Sequence, residues 1–422
     1  MGARASHNNL YHDARSLWGF KMVRRSRLGG AKVSSVLATK KSRHMKSTGI
    51  FRVCLIITIA FFGFGCSKHQ DTLKGRVVAG TPIPEDAVNV ELEEHHVPGL
   101  SIAVVHQGRI DWAKGYGVLQ HGKPDRITTS TLFQAASISK PVSAVAALRV
   151  VEMGLLTLDE DVNLKLTSWK VPRNEFTRNK SVTLRRLLSH SAGLSMHGVP
   201  EFRASDKIPT LVQILDGTWS AGADSIRPVK EPGLKFQYSG GGYVVVQVLM
   251  TDVLHRTFKS LADELVLQPA KMVSSTFEQP LPRELWSSAA VGHLSNGTPL
   301  SGSWHTLPEQ AAGGLWTTST DLASFMIEVW RSYHGMPSAL LSQDLAQEML
   351  TRQIEDFGLG VSLPSAGVFR FQHSGGNAGY RCFMVLSVVS PDGVVIMTNS
   401  DSGEPLIREI FDVIAHAYGW IA

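Results

Sequence analysis

Residues 380–399 read YRCFMVLSVVSPDGVVIMTN. Two apolar runs, Tyr380–Val389 and Val394–Asn399, flank Ser390-Pro391-Asp392-Gly393. That is a strand, a tight turn and a second strand. Leu100–Val105 and Ile110–Tyr116 repeat the pattern near the other end, around His106-Gln107-Gly108-Arg109. Helical signals lie between. Lys140–Gly154, Leu184–His190, Thr210–Leu215 and Tyr243–His255 carry apolar stripes. Thr318 with Asp321 resembles a capping box opening Leu322–Tyr333. A last helix is expected over Pro405–Tyr418, with Pro405 at its first position, and a short one over Ala87–His96. Strands at both ends with helices between predict an α+β fold: one sheet closed by the two ends of the chain, and a helical lobe inserted in the middle. The sheet lobe is expected over about 87–136 and 310–422, the helical lobe over about 137–309.

The upstream part is of another kind. The 422 residues are 43% hydrophobic and 18% charged, ordinary globular values. The net charge of +6 misleads, because residues 1–52 hold twelve basic side chains against Asp13 alone, and the rest carries −5. Nucleic acid is therefore not an expected partner. Residues 1–44 read as a basic leader from an overlong gene start, with Met45 the natural initiator. Lys46 and Arg52 then precede the apolar run Val53–Gly65 and Cys66. Thirteen apolar residues are too few to span a bilayer, which takes about 20, but suit a signal peptide over 45–66. A small residue before Cys66 resembles a bacterial lipoprotein cleavage site, although Gly63 stands where that pattern prefers Leu. The expectation is an exported protein of the cell envelope, periplasmic or held at the membrane by leader or lipid. Residues 67–86, with Gly75, Gly80, Pro82 and Pro84, read as a linker.

Cys54 and Cys66 belong to the leader, leaving Cys382 in an apolar run, where a buried thiol is the ordinary outcome. No disulfide framework, zinc-type spacing or H-E-x-x-H exists, and no P-loop or G-x-G-x-x-G follows a strand, so neither metal nor cofactor is expected. Glu93-Glu94-His95-His96 has metal-like residue types but no further spaced ligands, and reads as a solvated helix end. His190, between Ser189 and Ser191, reads as a hydrogen-bonded helix end near the cleft.

Chemistry gathers in three patches. Phe133-Gln134-Ala135-Ala136-Ser137-Ile138-Ser139-Lys140-Pro141 opens a helix. A three-residue spacing puts Ser137 and Lys140 on one face. A serine needs a base to act as nucleophile, and a desolvated lysine can be the neutral amine that serves. The helix N-terminus offers free N–H groups to an oxyanion. Tyr238 stands before the run Gly240-Gly241-Gly242 and is a candidate phenol proton carrier. Gln372-His373-Ser374-Gly375-Gly376-Asn377 precedes the strand Tyr380–Val389, and its glycines allow a backbone to approach a ligand.

Together these patches resemble the serine β-lactamase and penicillin-binding-protein superfamily, in its class-C-like branch, over about 85–420. Val97–Val104, Leu187-Leu188-Ser189-His190-Ser191-Ala192-Gly193-Leu194 and Gly313-Gly314-Leu315-Trp316-Thr317-Thr318 with Asp321-Leu322-Ala323 fit the same family. The resemblance implies an antiparallel sheet with helices on both faces plus a helical lobe, the site between them. It implies that Ser137 attacks an ester or amide carbonyl and that Lys140 and Tyr238 share proton transfer, which of them is the base being open. It implies that the N–H groups of Ser137 and Gly376 form the oxyanion hole, and that His373-Ser374-Gly375 stands for a Lys-Thr-Gly triplet on an edge strand.

Two departures bear on substrate. Gly240 replaces the Asn of a Tyr-x-Asn motif, removing an amide contact. His373 replaces a fixed ammonium; with an ordinary imidazole it is expected to be neutral near pH ~7.5 and cationic below about 6.5. The expected function is a serine hydrolase of the esterase, D-amino-acid peptidase or β-lactamase-like kind. Small esters, peptides or β-lactam-like molecules are its partners, with specificity set by loops around 195–235 and 275–310. The rival is a penicillin sensor that acylates without turnover, or a relative with a degenerate site.

Overall fold

The computed structural model describes Leu73, residues 75–337 and residues 340–420. The leader, including Cys66, lies outside the described residues. Five antiparallel strands form the main sheet: β1 Gly99–His106, β2 Arg109–Gly117, β5 Arg370–Asn377, β6 Tyr380–Ser387 and β7 Gly393–Thr398, in the order β2-β1-β7-β6-β5. The first and last hairpins therefore meet, β1 pairing with β7. Their turns are tied together as well. Asp392 accepts hydrogen bonds from His106 Nδ1 at 2.7 Å and from the Gln107 N–H at 3.0 Å. Gly393 is needed because a Cβ there would stand 2.1 Å from the Val385 carbonyl oxygen. The short strands β3 Phe133–Gln134 and β4 Trp316–Thr317 pair separately.

β7 is buried throughout and β1 nearly so, as strands covered on both faces must be. The helix Ser319–Tyr333 packs on one face, and the helix Gly403–Ala417 packs on β6 and β7. Register sorts the side chains. Ser101, Met397, Cys382 and Gly375 lie opposite one another, and Ser101 Oγ meets Ser319 Oγ at 2.8 Å. His373, Gly375 and Asn377 thus share that face, while Phe383 on the other packs against Phe411.

Some local readings change. Residues 67–86 are not all linker: Leu73, Val77 and Ile83 are buried, and Glu85 and Asp86 open the helix Glu85–Glu94. His95 is no solvated end; its Nε2 lies 3.1 Å from Glu409, an ion pair to the last helix that raises the imidazole pKa. Thr318 does cap its helix by accepting from the Asp321 N–H, but the Asp321 carboxylate turns to Ser275. The helix expected from Tyr243 begins three residues earlier, running Gly240–Leu254, because Ser239 Oγ accepts the Gly242 N–H at 3.0 Å and caps it there. Among the described residues no helix is long and apolar enough to cross a membrane.

Candidate active site

The helical wall is built on residues 135–152. Ala136 takes a left-handed φ of +50°, and Ser137 follows within the single turn Ala136–Ile138, from which the helix Ser139–Glu152 continues. A non-glycine residue held in that region is strained, a common feature of functional turns. Lys140 lands one turn past Ser137, with Nζ 3.0 Å from Ser137 Oγ and donating to the Ala312 carbonyl at 2.7 Å. Burial is the cause that pushes its pKa down to about 7. In the neutral form the serine hydroxyl donates to the amine lone pair. Ser139 points elsewhere: its buried Oγ accepts the Leu315 N–H at 3.0 Å.

Tyr238 is clamped from behind by His190. The Gln237 N–H donates to the His190 carbonyl at 2.7 Å, and the Ser239 N–H donates to His190 Nδ1 at 3.1 Å, so both neighbours of Tyr238 are held by one residue. The imidazole stacks on the phenol ring at 4.1 Å. Accepting at Nδ1 puts the neutral ring's proton on Nε2, and burial keeps the ring neutral. Burial holds the Tyr238 phenol above the ordinary range, with the Ser137 hydroxyl acting the other way and more weakly. Lys140 Nζ lies 5.1 Å from the Tyr238 ring centroid.

The facing wall is the edge strand β5. A Cβ on Gly375 would stand 2.2 Å from the Ala135 carbonyl oxygen, so the strand lies directly on the loop that carries Ser137. Asn377 donates to Gln134 Oε1 at 2.8 Å and to the Gly313 carbonyl at 3.3 Å, joining β5 to both supports of the nucleophile turn. Gly376 is exposed, and Ser374 alternates to the face away from His373. His373 is buried, and its Nδ1 donates to the Ser374 carbonyl at 2.7 Å. Burial, aided by nearby Lys140, pushes its pKa down to about 3. This corrects the expectation of a cation below pH 6.5: the ring stays neutral throughout the working range. Gly240 is buried too. Its N–H donates to the His197 carbonyl at 2.9 Å, and a Cβ there would stand 3.0 Å from both that oxygen and Val199 Cγ1. The loop 197–199 fills the space an asparagine side chain would need.

Ser137, Lys140, Tyr238, His373 and Gly375 are thus brought into one cleft, while the side-chain positions of Ser374 and Gly376 alternate to the other face of the strand. The reading of the residues missed the Ala312 carbonyl and the Asn377–Gln134 link, which depend on chain segments far apart in sequence. It also missed Glu309, whose buried carboxyl has both oxygens unpartnered and is pushed up to about 8 by burial.

The family model described as Beta-lactamase matches residues 85–418, and the chain belongs to that family. Protein flp of Staphylococcus aureus (strain N315) is 23% identical over 324 residues, 74% of this chain and 61% of that protein, so the chain spans about three fifths of that relative's length. Among solved structures, EstCE1, a hydrolase with promiscuous acyltransferase activity, matches with a TM-score of 0.64 at 18% identity, over 82% of this chain and 99% of that one. The D-amino acid amidase from Ochrobactrum anthropi SV3 matches with a TM-score of 0.63 at 21% identity, over 84% of this chain and 99% of that one.

Proposed function

We propose that this member of the β-lactamase family is a serine hydrolase that cleaves small esters or amides through an acyl-enzyme on Ser137. The observation that carries the reading is a buried lysine amine 3.0 Å from a serine hydroxyl at a strained turn, burial pushing its pKa down to about 7. Neutral Lys140 takes the Ser137 proton as Oγ attacks the carbonyl carbon. The N–H groups of Ser137 and Gly376 hold the developing oxyanion. The proton passes from Lys140 through the Tyr238 phenol to the leaving alkoxide or amine. Water then attacks the ester on Ser137, giving its proton to Lys140, and the acid leaves as the serine hydroxyl is restored. A phenol whose pKa is held high suits a carrier of protons and not a phenolate base, so Lys140 is the base in this scheme.

The substrates are short activated esters or small peptides in preference to β-lactams, since β5 offers a neutral His373 where a carboxylate would need a cation. That a hydrolase with promiscuous acyltransferase activity and a D-amino acid amidase share the fold supports this class. Ser137→Ala should abolish labelling by a fluorophosphonate probe and lower turnover by several orders of magnitude, while Ser139→Ala keeps both. A labelled, active Ser137→Ala protein would sink the assignment, and a burst without further turnover would turn it into a sensor. We further propose export to the cell envelope with a lipid on Cys66. Expression from Met45 should give membrane-associated protein, released by Cys66→Ser; equal membrane association of the variant would refute the lipid.

A further inference from the structure

Several groups of the cleft around Ser137 offer a polar substrate no exposed side chain. Lys140 and His373 are buried, His190 lies behind Tyr238, and Gly240 has no side chain. His197 stands apart from these. It is exposed, and its ring centroid lies 5.0 Å from that of Tyr238, tilted by 40°. Its place is set by the backbone. The Ser195, Met196 and His197 carbonyls accept hydrogen bonds from Ser239 Oγ and from the Gly241 and Gly240 N–H groups, so the loop is strapped to the start of the helix that follows Tyr238. Two residues on, Val199 packs on the Gly240 position. Farther along, Glu201 accepts from the Ala378 N–H just past β5. The segment 197–201 therefore runs from Tyr238 to the Asn377 end of β5.

We propose that His197 is a specificity-determining residue for the acyl group, taking over the polar contact that Gly240 cannot make. The acyl groups it favours carry a hydrogen-bonding atom next to the scissile carbonyl: α-alkoxy, α-amino or α-acylamino. The proposal rests on the Ser137 acyl-enzyme reading and adds the substrate class to it. Because the loop is held through carbonyl groups, changing the side chain leaves its tethers in place.

The test compares two p-nitrophenyl esters of equal length and one leaving group, methoxyacetate and butyrate, which differ by an ether oxygen in place of a methylene. A neutral hydrogen bond accounts for a few-fold to roughly tenfold in kcat/KM. His197→Ala should lower kcat/KM about tenfold for methoxyacetate and less than twofold for butyrate. His197→Phe keeps a ring against Tyr238 without a donor and should behave like the alanine variant. His197→Asn should recover most of the loss. Equal losses on both esters, or full activity of the phenylalanine variant on methoxyacetate, would overturn the proposal and leave the hydrolase reading intact. A parent that turns over neither ester, and whose Ser137 is not labelled by fluorophosphonate, would remove both.

Discussion

The two walls of the cleft are equally dry, and dryness does opposite things to them. On the helical wall, burial brings Lys140 from the ordinary lysine range down to about 7, where the amine is half neutral and able to take a proton. On the β5 wall the same burial carries His373 from near neutrality down to about 3, where it has no charge to offer. Both groups lose their charged form to desolvation; what differs is the starting point. A lysine is moved into the working range and a histidine out of it. The cleft thereby combines an available base with a sheet-side imidazole that offers no charge.

The largest break in this comparison is Lys140→Met, which should lower kcat/KM by about three to four orders of magnitude. It should also raise stability. The folded pKa lies below the unfolded value of 10.5, so the unfolded chain holds a proton that the native state lacks between about 7 and 10.5. Stability contributed by this group therefore rises with pH across that window, and below about 7 the full cost of a buried ammonium remains. Methionine removes that cost, of several kcal/mol, and loses the hydrogen bond to the Ala312 carbonyl, about 1–3 kcal/mol. Denaturant unfolding at pH 7 should show a net gain of about 1–3 kcal/mol. A loss would mean that the amine is better solvated than its burial implies.

Tyr238→Phe comes next, with an expected fall of about 100- to 1000-fold for an amide. For p-nitrophenyl butyrate the fall should be smaller, because that leaving group departs without a proton. Equal falls on both substrates would move Tyr238 from proton carrier to support for Lys140. The pH profile is a milder probe. The free enzyme needs neutral Lys140, so kcat/KM should rise tenfold per unit up to about pH 7 and flatten above, leaving it about 30-fold below the plateau near pH 5.5. An acid limb centred near 4 would point to a carboxylate base instead.

How much of this was legible in sequence follows from where each property resides. The strands of both hairpins and the Ser137–Lys140 spacing are local patterns, and the structure keeps them within a residue or two. The early start of the helix at Gly240 was not legible, because three glycines argue against a helix until Ser239 is seen to cap it and the 195–199 loop to cross it. His190 was expected to be hydrogen-bonded near the cleft, but its hold on both sides of Tyr238 required the chain to bring together positions about 50 apart. His373 was expected to be neutral near pH ~7.5, as its burial also has it; its charging below about 6.5 was expected because an ordinary imidazole pKa assumes water, and its burial shows only once the sheet is packed.

The smallest effect is expected from giving the β5 wall the charge it lacks. In His373→Lys the new amine enters a dry site near Lys140, and two cations there disfavour each other. Lys140 should titrate lower still, shifting the acid limb below pH 7. A lysine at 373 that keeps its proton holds a substrate carboxylate by a charge-assisted bond, roughly twice as strong as the neutral bond of the imidazole. The ratio of kcat/KM for nitrocefin to that for p-nitrophenyl butyrate should therefore rise about tenfold. His373→Gln, neutral like the parent, should leave both the ratio and the acid limb where they were. In the parent the ratio should stay flat between pH 8 and 6, since an imidazole whose pKa burial pushes down to about 3 gains no charge in that interval. A parent ratio that climbs as the pH falls to 6 would show a cationic His373, and the contrast between the two walls would fail at its second half.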